Sequence, residues 1–263
     1  LMNSKQAKLE AFSRLLDIMD DLRAQCPWDQ KQSFESLRHL TIEETYELGD
    51  AILDRDLTEI KKELGDLLLH IVFYAKLGSE EKAFDIADVA NDICEKLIHR
   101  HPHIYGSVSV EDEHEVKKNW EALKLKEGKK SVLEGVPSGL PALIKAQRMQ
   151  EKAAGVGFDW EHKTQVWGKF EEELKELNQA LDSKKEDEIE DEFGDVLFSL
   201  INYARFIKVN PETALERTNK KFIKRFQFIE SQAKKSKRSI EQLTLEEMEA
   251  YWQEAKNHSA AES

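Results

Sequence analysis

Two short runs decide how this chain folds: Glu43-Glu44-Thr45-Tyr46-Glu47 and, further on, Glu63-Leu64-Gly65-Asp66. On a helix, positions i, i+1 and i+4 fall within about 100° of one another, so Glu43, Glu44 and Glu47 share a face. Glu63 and Asp66, at i and i+3 of a following helix, share one too. Packed antiparallel, the two helices would bring four or five carboxylates into one small volume, where they cannot all stay ionised without compensation. A hard divalent cation answers that need, because oxygen ligands suit magnesium, manganese or calcium. The pattern then recurs at Glu172-Glu173-Leu174-Lys175-Glu176 and Glu192-Phe193-Gly194-Asp195, which sets it apart from an ordinary solvated acidic face. Alanine would be about 1 kcal/mol better than glycine inside a helix. The glycine in both Glu-x-Gly-Asp runs therefore predicts close helix approach there.

Working outward, 263 residues suffice for one large or two ordinary domains. Only 11 Gly and 5 Pro, with 35% charged residues and no extended β-branched alternation, predict an all-helical protein. A formal charge of −13 argues against a protein that coats nucleic acid, though not against a nucleotide substrate, since bound metal inverts the local field. Cys26 and Cys94 have no metal-ligand spacing and make no disulfide scaffold. No apolar run reaches the length of a membrane span and no signal-peptide pattern is present, so the cytoplasm is the expected compartment.

Helical periodicity predicts a first helix over 6–25, broken where Pro27 pushes Cys26 out of the helical region. A short helix over 33–39 follows. Thr41 with Glu44 then reads as a capping box opening a helix to Asp54. Further helices are predicted over 57–77, ended by Gly78, over 84–100, and over 111–126. Glycine and proline punctuation marks 128–141 as a linker between an N-terminal domain (1–127) and a C-terminal domain (142–263). The second domain's predicted helices cover 142–154, 163–181, 186–208, 211–234 and 245–256, with Asn210 capping the helix that Pro211 begins.

The domains are an internal repeat, Glu43, Glu63 and Asp66 matching Glu172, Glu192 and Asp195 at an offset of 129. Lys96 and Arg100 match Lys221 and Arg225, and Trp120 with Lys124 matches Trp252 with Lys256. Lys221 and Arg225 lie on one side of a helix, which is ordinary surface charge or, beside a metal cluster, a grip on phosphate. Trp252 and Lys256 could close over a base or the phosphates, or the tryptophan could cap a core. Glu192, Asp195, Ser199 and Asn202 form one polar stripe, whereas the first domain has Glu63, Asp66, His70 and Phe73. A bulky ring in place of an amide makes the C-terminal site the expected principal catalyst.

This combination resembles the MazG family of nucleoside triphosphate pyrophosphohydrolases over nearly the entire chain. Glu-Glu-x-x-Glu followed by Glu-x-x-Asp is shared with dimeric dUTPases and phosphoribosyl-ATP pyrophosphohydrolases. The tandem arrangement, Cys26-Pro-Trp-Asp29, His99-Arg-His-Pro-His103 and Val156-Gly-Phe-Asp-Trp160 are similar to the two-domain MazG type in particular. The resemblance implies the all-α NTP pyrophosphatase fold, a homodimer and magnesium-dependent hydrolysis of NTP to NMP and pyrophosphate, with manganese as the other candidate metal. A metal-activated water would attack the α-phosphorus, in the service of nucleotide-pool house-cleaning. Carried over by position, Glu173, Glu176, Glu192 and Asp195 are metal ligands, with Glu44, Glu47, Glu63 and Asp66 as a weaker second set. Glu172 orients water or completes the ligand shell, and Lys169, Lys221, Arg225 and Trp252 contact nucleotide. A dUTPase-like hydrolase on the same bundle, or a non-catalytic acidic interaction module, is the alternative. A di-iron bundle would need Glu-x-x-His on two helices, and only Glu111-Asp-Glu-His114 fits.

Overall fold

The computed structural model describes residues 2–110, 112, 115–116, 119–120 and 131–261. These contain ten α-helices and no strand: α1 (Lys5–Gln25), α2 (Phe34–Asp54), α3 (Leu57–Glu80), α4 (Ile86–Arg100), the single turn α5 (Pro102–Tyr105), α6 (Ala142–Ala154), α7 (Lys163–Ser183), α8 (Glu186–Phe206), α9 (Pro211–Lys235) and α10 (Leu245–Ala261). The chain divides into two compact units, Leu1–Glu111 and Asp112–Ser263. The helix expected over 111–126 lies largely outside the described residues, and so do Lys124, Gly128, Lys129, Lys130 and most of the Glu111–His114 run.

In each unit the dominant pairing is an antiparallel helical hairpin, α2 with α3 and α7 with α8. Both turns are made by a residue in the left-handed region, Arg55 at φ 55° and Lys184 at φ 58°, again 129 residues apart. Asp56 caps α3 by accepting from the backbone N–H groups of Thr58 (2.9 Å) and Glu59 (3.1 Å). α1 lies against α3, and α6 against α8. The first unit closes around Met19, Leu37, Val72, Phe73 and Leu77, with Phe12, Leu15, Phe34 and Leu40 packed on them. In the second, α9 and α10 enclose Ile229, Ala233 and Leu243 against Met248, Tyr251 and Trp252.

Three local expectations change. Residues 34–54 form one continuous helix with no break before Thr41. Its cap is Ser33, whose hydroxyl accepts from Ser36 N–H (3.2 Å) while Ser36 Oγ accepts from Ser33 N–H (2.8 Å). Thr41 is interior; its hydroxyl lies 3.1 Å from Leu37 O and 2.7 Å from the Tyr74 hydroxyl, tying α2 to α3. Gly78 does not end α3, which runs to Glu80; a Cβ there would meet the Phe84 ring at 2.6 Å, so the glycine makes room for that ring. Gly65 and Gly194 have nothing within 4 Å of where a Cβ would sit, so among the described residues no helix of their own unit approaches them closely. Pro27 acts as expected: α1 stops at Gln25 and Cys26 is extended at φ −89°, ψ 119°.

Ser33 and Asn210, which accepts from Thr213 N–H at 2.9 Å, are genuine N-caps. Ser33→Ala and Asn210→Ala are each expected to cost about 1 kcal/mol in chemical denaturation, read on the unit that carries the cap.

Candidate functional site

The two hairpins bring carboxylates together as their spacing demands. Glu44, Glu63 and Asp66 each offer an oxygen within 4.8 Å of the others, and so do Glu173, Glu176 and Glu192. Glu44 and Glu173 correspond, as do Glu63 and Glu192; the third member differs, Asp66 in one unit and Glu176 in the other. Glu47 and Asp195 stand outside these triples. Asp195 lies alongside, on the wall of a cavity.

Burial, and then the charges of Asp66, Glu47 and Glu63, pushes the Glu44 carboxyl above its usual range. Burial, and then Glu176, Asp195 and Glu173, does the same to Glu192. Each cluster contains one lysine. Lys62 sits 3.0 Å from Glu63, and Lys169 sits 2.6 Å from Glu173 and 2.9 Å from Glu172. The bond to Glu63 raises Lys62 well above an ordinary lysine, and those to Glu173 and Glu172 raise Lys169. One lysine does not satisfy the set: Glu63 Oε2 and Glu192 Oε2 are buried with no hydrogen-bond partner among the described residues. An orphaned carboxylate oxygen at the same place in both repeats, facing further carboxylates, fits a hard divalent cation.

Beside the second cluster lies a cavity of about 600 Å³. Lys169, Glu173 and Asp195 line its acidic side, Val166, Phe198 and Met149 its apolar side, and Gln150, Ser199 and Asn202 its polar side. The turn after α6 folds over it. Gly157, at φ +89°, is the glycine this turn requires, and Phe158 N–H returns to Ala153 O at 3.0 Å. Asp159 then accepts from Arg205 Nη1 (2.7 Å) and Nη2 (2.5 Å). Leu133, within the expected linker, joins the same wall.

The first unit fills the equivalent space. At an offset of 129, Val166, Lys169, Phe198, Ser199 and Asn202 correspond to Leu37, Leu40, Leu69, His70 and Phe73. Leu37 and Phe73 are core residues there, 1% and 2% exposed, with Leu40 and Leu69 packed on them. His70 is buried with Nδ1 unpartnered among the described residues; burial pushes its pKa down, against the opposing pull of Asp66.

The remaining expected residues lie elsewhere in the second unit. Lys221 is exposed on α9. Arg225 lies over the Trp252 ring at 5.4 Å, and its Nε is buried without a hydrogen-bond partner among the described residues. Trp252 also packs on Phe222 and on the α9–α10 core; Lys256 is exposed. None of these four lines the cavity. Gln150 gave no sequence signal, being one polar residue on an amphipathic helix. The Asp159–Arg205 pair spans 46 positions and is visible only in the fold.

The profile of the MazG nucleotide pyrophosphohydrolase domain matches residues 32–105 and 164–227, both hairpins. A Thermotoga maritima protein named nucleoside triphosphate pyrophosphohydrolase/pyrophosphatase MazG is 44% identical over 250 residues, 93% of this chain and 95% of that one. An Escherichia coli nucleoside triphosphate pyrophosphohydrolase is 39% identical over 260 residues, 94% of this chain and 98% of its own. The longer Bacillus subtilis protein YabN is 44% identical over 260 residues, 96% of this chain but 53% of YabN.

Glu44 and Glu192 titrate above the ordinary carboxylate value of 4.5, so the folded chain retains protons the unfolded chain has lost. The stability this confers is fully present below that value and disappears as pH rises through the raised pKa. Without divalent cation the Glu192 contribution to the melting temperature should therefore grow as pH falls toward 4.5, against the opposite slope that His70, its pKa pushed down by burial, gives the first unit. Saturating magnesium, taking the place of those protons, should flatten the slope, and Glu192→Gln should reduce it in the cation-free protein.

Proposed function

This chain belongs to the MazG nucleotide pyrophosphohydrolase family, and from that premise we propose that its second unit hydrolyses nucleoside triphosphates to the monophosphate and pyrophosphate. The observation that carries the proposal is the convergence of Glu173, Glu176 and Glu192, with one buried oxygen unpaired, beside an open cavity. Those three carboxylates, with Asp195 alongside, would hold a magnesium ion, or manganese. When bound, the cation would supply charge neutralisation for the phosphates and would acidify water. Glu172 is exposed and steered by Lys169, and it accepts the proton of a water that attacks the α-phosphorus. Lys169 orients the phosphates next to the cluster. Pyrophosphate leaves onto Lys221 and Arg225, and the unpaired Arg225 Nε suits a guanidinium awaiting phosphate oxygens. Trp252 holds the guanidinium in place, and Lys256 adds positive charge from α10. Clearance of the nucleotide pool is the biological role we assign.

The second unit is the principal site because the first packs Phe73 and Leu40 where the second has Asn202 and Lys169 on the wall of a cavity. The first cluster of Glu44, Glu47, Glu63 and Asp66 binds metal more weakly or serves structure. Glu173→Ala should lower magnesium-dependent pyrophosphate release by about a hundredfold or more, while Glu44→Ala stays within about threefold. Comparable loss in both would refute the assignment, and orthophosphate as the product would refute the reaction.

We further propose that the chain works as a homodimer. Leu64, Leu68 and Ile71 on α3 are 52%, 38% and 48% exposed, and Phe193, Leu197 and Leu200 on α8 are 54%, 46% and 44% exposed. These are the same positions 129 residues apart, each an apolar stripe at i, i+4 and i+7 that its own unit leaves uncovered. Gly65 and Gly194 lie beside the stripes with space above them. Sedimentation should give twice the chain mass, and Leu68→Glu with Leu197→Glu should reduce it to one. A wild-type monomer would mean the stripes are covered some other way.

A further inference from the structure

The cavity has a polar floor to which the hydrolysis assigns no role. Gln150, on α6 and 7% exposed, donates from Nε2 to Phe198 O at 2.8 Å. A carbonyl only accepts, so this bond fixes which end of the amide faces away. The end that faces away, Oε1, is buried and unpartnered among the described residues, and Gln150 lines the cavity. A buried amide oxygen without a donor is costly, and a ligand N–H removes that cost.

Asn202 supplies the converse. Its Oδ1 accepts from Arg205 Nε (3.2 Å) and Nη2 (2.8 Å), and Arg205 is itself clamped by two bonds to Asp159. With the oxygen engaged by a guanidinium, the group Asn202 has left to offer is its NH₂. The cavity therefore carries one oriented acceptor and one oriented donor. Phe158 and Trp160 add broad apolar rings at its edge, 83% and 45% exposed and so free to stack. Rings for stacking beside paired amides are the chemistry that grips an extruded nucleobase, by its face and by its Watson–Crick edge. Each such edge sets an N–H beside an acceptor, so the pair matches bases as a class. The volume lies within the range of roughly 300–1,000 Å³ common to small-molecule sites.

Resting on the second unit as the hydrolytic site, we propose that this cavity holds the nucleobase of the triphosphate. Gln150 and Asn202 bond the base edge, and Arg205 is a positioning residue that acts through Asn202. The first unit lacks such a site because Phe73 stands where Asn202 does.

The test compares a nucleoside triphosphate with ribose 5-triphosphate, which lacks only the base, on the full-length chain with magnesium. Wild type should show a KM for ribose 5-triphosphate about tenfold or more above that for the nucleotide. Gln150→Leu, Asn202→Leu and Arg205→Met should raise the nucleotide KM about tenfold with kcat nearly kept, and leave ribose 5-triphosphate kinetics within about twofold. Equal losses on both substrates, or an unchanged nucleotide KM in Gln150→Leu and Asn202→Leu, would overturn the assignment. If wild type releases no pyrophosphate from either, the hydrolytic reading fails by itself. Calorimetric titration with a nucleoside monophosphate then decides the cavity: affinity lost in Gln150→Leu supports it, and equal affinity refutes it.

Discussion

Two packed helices that each turn carboxylates toward the other must be held together against their own repulsion, and the rest of each unit is arranged to make that tolerable. Close Glu pairs cannot all be ionised in a half-buried place. Each hairpin responds with one lysine and still leaves a buried oxygen unpaired, Glu63 Oε2 in one and Glu192 Oε2 in the other. A set that is self-repelling when empty and satisfied when filled couples cation binding to the stability of the hairpin that carries it. The apolar remainder of each hairpin, together with α1 or α6, supplies the stability that keeps the carboxylates close before any ion arrives.

Duplication kept the hairpins and altered what lies behind them. The left-handed turn residues Arg55 and Lys184, the carboxylate positions and the uncovered apolar stripes all recur at one offset. Behind them, Lys169, Ser199 and Asn202 stand where the first unit has Leu40, His70 and Phe73. Three substitutions from large or apolar to small or polar separate a closed core from a lined cavity. A core position occupied by Phe contributes a few kcal/mol. Opening the space costs stability, and in the second unit the Asp159–Arg205–Asn202 network holds the wall in its place.

Much of this was legible in the residues because it is periodic. The helices, the repeat and the sharing of a face by Glu173 and Glu176 or by Glu192 and Asp195 follow from helical spacing. The misreadings are local. Thr41 looks like a cap because Glu44 follows it, yet Ser33 with Ser36 caps the same helix eight residues earlier, and Thr41 uses its hydroxyl on Tyr74. Gly78 looks like a helix end when it is a space for Phe84. Gly65 and Gly194 look like close helix contacts, and among the described residues of their own units nothing lies within 4 Å of where a Cβ would sit. Pairings such as Gln150 with Phe198, or Asp159 with Arg205, depend on which helices become neighbours and have no period to reveal them. The contrast of Asn202 with Phe73 was visible as a difference between repeats, though its meaning required the cavity.

The placement of the lysines adds a last distinction between the units. Lys62 precedes Glu63 on the same helix and is 61% exposed, so its charge reaches the cluster from the solvent side. The matching position in the second unit is Asp191, which adds to the acidity, and the lysine comes instead from Lys169 on the cavity wall. There it bridges Glu172 and Glu173, one residue from the triple and one exposed beside it. A cation filling the triple would weaken the hold of Glu173 on that ammonium and leave it tied to Glu172, facing the cavity. In the second unit, then, filling the carboxylate cluster also presents a positive charge where an anionic phosphate would arrive. The first unit, with Leu40 at that position, has no such consequence to offer, and the proposed division, hydrolysis in one repeat and structure in the other, rests on that difference.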